Sequence, residues 1–248
     1  MKILIHKTDH LGDFVLALPA LWECRKRFGD ELDLHILVSP QNLEWQKILP
    51  WLGMLHPVRH PRYIRSRKKN KWIRSGLALS TALRLRTLDF DWGIDLVSTK
   101  NDLLGKWLLK SAGCRQTSGP DGWHSWLLDR KNNQPDAHQT EILASRFPSE
   151  WKISGASSPE QWWTSQKWKD NTPSNTVIFA PFAGHAFKMW PNRCWVELFN
   201  ELQRDYRVKI LVTASDLKTY QTFLQGFSEN ALVPVQAIHE TLNILKNC

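Results

Sequence analysis

The chain has 248 residues, enough for one large domain or two modest ones, and its 42% hydrophobic and 23% charged residues match a soluble globular protein. Its 14 tryptophans are scattered, which argues for core and pocket linings and against a repeat, and no apolar run approaches the length needed to span a bilayer. Cys24, Cys114, Cys194 and Cys248 are far apart and form no CxxC, so neither a zinc knuckle nor a disulfide framework is indicated, and the N-terminus has no signal-peptide pattern, so a cytoplasmic location is expected.

The chain opens with a strand signal at Lys2–Lys7, where Ile3, Leu4 and Ile5 form a short apolar run. Thr8–Asp13 supplies turn chemistry, and Phe14, Leu18, Leu21 and Phe28 follow at helical spacing, so the region reads strand, loop, helix. In open α/β sheets, ligands bind at such strand-end loops. Asp13 stands there at the start of the expected helix, placed either to act as a base or to cap it. Further strands are expected at Leu32–Val38, Met54–Val58 and Trp92–Val97, and helices near Phe14–Phe28, Asn42–Leu49, Trp72–Leu85 and Asp102–Ala112. That alternation predicts βαβ units in a mostly parallel sheet.

Between Arg59 and Arg74 the chain carries eight of its 33 Lys and Arg residues and no acid, which accounts for nearly all of the net charge of +9. The run reads as a solvated loop or as a polyanion site in which arginine forks meet phosphates. Nucleic acid and a phosphorylated glycolipid at a membrane face are both candidate partners at this point. From residue 131 the chain turns polar, with one helical segment at His138–Arg146, and residues 136–175 read as a linker and crossover. They divide an N-terminal domain, 1–135, from a C-terminal one, 176–248, with strands at Thr176–Pro181, Val208–Thr213 and Ala231–Val235. Helices are expected there at Arg193–Arg204, Asp216–Phe227 and from Thr241.

Three segments carry a family resemblance. KTDHLGDFVLALPAL resembles the opening of glycosyltransferase family 9, the bacterial heptosyltransferases of lipopolysaccharide core synthesis, through Leu11, Gly12, Asp13, Leu18, Pro19, Ala20 and Leu21. PFAGHAFKMWPNRCWVELFNEL is similar to a second family segment through Gly184, Lys188, Trp190, Pro191, Trp195 and Leu198, and Asp89–Gly119 is similar to a third. The resemblance implies an α/β protein of GT-B type, with two Rossmann-like domains and mostly parallel sheets, the second domain cut short. It implies inverting transfer of heptose from ADP-heptose to a lipid A–Kdo type acceptor at the inner membrane face. Asp13 would be the base and Lys188 would face the departing diphosphate, beside a helix N-terminus that favours anions.

Gly12, Gly184, Lys188 and Trp190 would line the donor site. The resemblance favours the glycolipid for the basic run, which assigns acceptor contacts to His10, Arg59, Arg62, Arg65, Arg67, Lys68 and Lys69 and leaves no nucleic acid partner expected. No cofactor and no metal are expected, since the one Asp-x-Asp pair, Asp89 and Asp91, lies on a strand approach. The family pattern continues beyond this chain into a D-T-G-x-x-H-like loop, so a C-terminally incomplete enzyme with weakened ADP-sugar binding is expected. Two rival readings remain: a catalytically incompetent relative that binds anionic glycolipid, and a nucleic-acid-binding module built on Arg59–Arg74.

Overall fold

The computed structural model describes residues 1–59, 71–99, 101–132, 136–158, 161, 175–183 and 186–246. The chain divides into two compact units, Met1–Gln166 and Lys167–Cys248.

In the first unit, β1 (Lys2–Lys7), β2 (Asp33–Val38), β3 (Met54–Pro57), β4 (Trp92–Asp95), β5 (Gln116–Pro120) and β6 (Arg130–Asn132) form one sheet in the order β3-β2-β1-β4-β5-β6. Every neighbouring pair is parallel. β1 lies between β2 and β4, and Ile3, Leu4 and Ile5 are fully buried, as an apolar run covered on both faces requires. The order reverses between β1 and β4, the doubly wound arrangement in which a crevice opens at the carboxyl ends of those two strands.

The helices are α1 (Leu11–Val15), α2 (Leu18–Phe28), α3 (Trp45–Ile48), α4 (Lys71–Leu85), α5 (Leu103–Ser111) and α6 (Gln139–Ala144). Leu4 and Leu37 pack with Ala78, Ala82 and Leu85 of α4 and Leu108 and Leu109 of α5 in one buried cluster. Gly53 precedes β3 at φ 78°, and a Cβ there would lie 2.2 Å from the Leu34 carbonyl oxygen, so both backbone and space demand glycine.

Four expectations need correction. The single helix at Phe14–Phe28 is two, α1 and α2, because Pro19 has no N–H to bond the Val15 carbonyl and instead occupies the first turn of a new helix. Strands β5 and β6 were not foreseen, since QTSGP and RKN contain no apolar run. Their polar side chains are satisfied by partners distant in sequence: Ser118 Oγ donates to the Arg146 carbonyl at 2.7 Å, and Asn132 Nδ2 donates to the Phe147 carbonyl at 3.3 Å. The segment from α6 to Trp151 is not linker but part of the first unit. Phe147 and Trp151 are buried, and the Trp151 ring lies 5.1 Å from Phe28 and 5.2 Å from Trp92. Its polar composition hides these few aromatic anchors. The helix expected at Asp216–Phe227 is also two, separated at Tyr220, whose ring stacks on Phe182 at 4.6 Å.

The second unit holds β7 (Thr176–Phe179), β8 (Arg207–Val212) and β9 (Leu232–Pro234), parallel and in that order. Its helices are α7 (Asn192–Leu202), α8 (Ala214–Thr219), α9 (Gln221–Leu224) and α10 (Ile238–Lys246). Phe179, Phe199, Val208, Ile210, Phe223 and Phe227 form its core. Among the described residues no helix is long and apolar enough to cross a membrane.

Candidate functional site

Parallel strands deliver their following loops to one edge of the sheet. After β1 come Asp9, His10 and α1; after β2, Ser39 and Asn42; after β3, Arg59; after β4, Ser98. The loops after β1 and β4 meet at the point where the strand order reverses, and the residues that join them are charged or polar.

Asp13 stands in the first turn of α1, half-buried, and is not the N-cap; that position is His10, whose side chain makes no capping bond. The capping role weighed for Asp13 is therefore absent. Its Oδ1 instead accepts a hydrogen bond from Ser98 Oγ at 3.1 Å, 85 residues away in sequence. Ser98 Oγ also lies 3.0 Å from Asp9 Oδ2, which accepts the Ser98 backbone N–H at 3.0 Å. Lys7 Nζ closes the group, donating to Asp9 Oδ2 and to the Leu96 carbonyl, each at 2.9 Å.

Lys7 and Asp9 are 0% and 1% exposed. Burial pushes the Lys7 ammonium below its usual range, and the nearby Arg146 guanidinium adds to this, while Asp9 and Asp13 oppose it. Asp9 is further fixed through its carbonyl, which accepts from Ser39 Oγ at 3.1 Å. The sequence marks Asp13 through its motif but marks neither Asp9 nor Ser98, and Lys7 reads there as a strand end. A lysine closing a strand built on the apolar run Ile3–Ile5 was the one signal available.

A second polar group lies within the sheet between these strands and α5. His6 Nδ1 is 3.0 Å from Asp95 Oδ1 and its Nε2 is 2.9 Å from Thr8 Oγ1, while Lys106 Nζ donates to Asp95 Oδ2 at 3.3 Å. Burial alone would raise the Asp95 pKa, but the His6 ring and the Lys106 ammonium outweigh it and hold the carboxyl below the usual range. This group ties β1, β4 and α5 together directly behind Thr8 and Asp9.

Gly12 is exposed, and a Cβ there would meet nothing within 4 Å, so the packing of the unit itself does not require glycine. His10 and Arg59 are exposed at the same sheet edge. Arg62, Arg65, Arg67, Lys68, Lys69 and Gly184 lie outside the described residues. Lys188 and Trp190 belong to the second unit: Lys188 is exposed on the short turn before α7, and the Trp190 ring meets Trp195 edge-on at 5.4 Å. Asp89 and Asp91, the pair considered for metal, both bind the Arg115 guanidinium, and no metal-ligating cluster occurs among the described residues.

No protein-family model matches this chain, and no curated protein matches it in sequence. Solved structures do. The chain is similar to the E. coli heptosyltransferase WaaC with ADP, at TM-score 0.75 and 17% identity, over 99% of this chain and 78% of that one. It is similar to E. coli ADP-heptose lps heptosyltransferase II, at TM-score 0.69 and 15% identity, over 100% and 76%. The glycosyl transferase family 9 structure from Veillonella parvula matches at TM-score 0.71 and 14% identity, over 94% and 68%. The fold is thus that of the GT-B glycosyltransferases, with the architecture the motif resemblance implied.

Proposed function

We propose that this protein is a heptosyltransferase-like glycosyltransferase, which moves a heptose from ADP-heptose to a phosphorylated lipid A–Kdo type acceptor with inversion at the anomeric carbon. The observation that carries the reading is Asp13, a half-buried carboxylate held by Ser98 at the switch point of a doubly wound sheet, inside a segment that resembles the family's opening motif. A base there can take the proton of the acceptor hydroxyl as that oxygen attacks. Gly12, exposed and without a packing reason, leaves room for the acceptor beside it. His10, Arg59 and the basic run to Lys69 are the acceptor-side residues, whose positive charge suits phosphates and an anionic membrane surface. Lys188 is assigned to the departing diphosphate, and Trp190 and Gly184 are assigned to the donor. The similarity to a heptosyltransferase solved with ADP supports a nucleotide-sugar donor.

Asp13→Asn is the test. It keeps shape and hydrogen-bonding capacity but removes the base, so transfer should fall by about 10²- to 10⁴-fold while thermal stability is unchanged. Near wild-type turnover would overturn the base assignment. A wild-type chain that binds the glycolipid but transfers no heptose would support the binding-only reading instead.

A further inference from the structure

We propose that Ser98 is the positioning residue for Asp13, and that the buried Lys7–Asp9 pair exists to hold Ser98 in that role; this rests on the reading of Asp13 as the base. Ser98 Oγ stands between two carboxylates, 3.1 Å from Asp13 Oδ1 and 3.0 Å from Asp9 Oδ2, and has a single proton to give. Asp9 Oδ2 already accepts from Lys7 Nζ and from the Ser98 backbone N–H, which occupy its two lone-pair sites. The hydroxyl proton therefore goes to Asp13 while Asp13 is ionised. Oδ2 of Asp13 makes no hydrogen bond among the described residues, and it is the oxygen left to meet a substrate.

The hold of Ser98 on Asp13 depends on the charge of Asp13. As the acceptor oxygen bonds to the anomeric carbon, the bond from that carbon to the diphosphate breaks, its electron pair leaving with ADP. The acceptor proton then moves to Asp13 Oδ2. Asp13 is now neutral and a weaker acceptor, so the Ser98 hydroxyl holds it less strongly. The same hydroxyl thus fixes the base before transfer and loosens its hold afterwards.

The test compares the wild-type chain with Ser98→Ala and Ser98→Thr, using ADP-heptose and a lipid A–Kdo acceptor, with ADP affinity measured by calorimetry. Ser98→Ala should lower kcat about 10- to 100-fold, the worth of one hydrogen bond to a charged group, and leave KM and ADP affinity within about twofold. Ser98→Thr keeps the hydroxyl and should restore most of kcat. An alanine variant with undiminished kcat, or a threonine variant as impaired as alanine, would overturn the proposal. A crystal structure of Ser98→Ala separates this from the functional reading, because it needs no turnover. Displacement of the Asp13 carboxylate supports the positioning role even if the wild-type chain transfers no heptose, and an unmoved carboxylate refutes it.

Discussion

Replacing Lys7 with methionine is the sharpest probe of how this site is held. Lys7 Nζ is buried and bonds Asp9 Oδ2 and the Leu96 carbonyl, each at 2.9 Å. Methionine matches the stem but carries no charge, so Asp9, 1% exposed, would keep the Ser98 backbone N–H and lose the one cation that pairs with it among the described residues. Removing one partner of a buried ion pair costs about 3–5 kcal/mol, because the other charge is left uncompensated. That is a large part of the roughly 5–15 kcal/mol that stabilises a typical domain. Adding Asp9→Asn removes the stranded charge while keeping an acceptor for the Ser98 N–H, so the double variant should regain about 2 kcal/mol over Lys7→Met alone. Amide hydrogen exchange at Ile3–His6 reads this directly, without assuming that the two units unfold together. A loss below about 1 kcal/mol for Lys7→Met, or a double variant less stable than the single one, would refute the reasoning.

Two further outcomes follow from the same sheet. In Gly105→Ala the new Cβ would sit 2.0 Å from the His6 ring, which is wired to Asp95 and Thr8; overpacking of about 1–3 kcal/mol plus the disturbed bonds outweighs a helix-propensity gain of at most about 1 kcal/mol, so denaturant titration should show net destabilisation, and an unchanged midpoint would contradict the packing described. Burial, with the adjacent His35 at 2.8 Å, lowers the His56 pKa from 6.5 to about 4. The unfolded chain therefore binds the proton first, and stability that is complete above pH 6.5 should be lost as pH falls towards 4. Since the ring is only partly buried and the same site holds Asp33 and Phe90 around His35, the loss should be about 1–2 kcal/mol after solvent screening, and a His56→Gln profile parallel to wild type across that window would rule it out.

Much of the fold was legible in the chain because burial in a parallel sheet writes itself locally. The run Ile3–Ile5 marks a strand covered on both faces, and the alternation of such runs with helical periods marks the βαβ units. Gly12 and Asp13 after the first strand, and the basic run from Arg59, were likewise visible as residue types in order. Tertiary structure decided the rest, wherever a residue takes its meaning from partners far along the chain. β5 and β6 are polar in sequence and become strands only because Asp129, Arg146 and Phe147 satisfy them. Strand order, set by long-range pairing, brings β4 beside β1 and so places Ser98 against Asp9 and Asp13 from 89 and 85 residues away. Lys7 ends a strand in sequence like any surface lysine; only the packed sheet, by excluding water around it, makes it the buried cation on which that group of carboxylates depends.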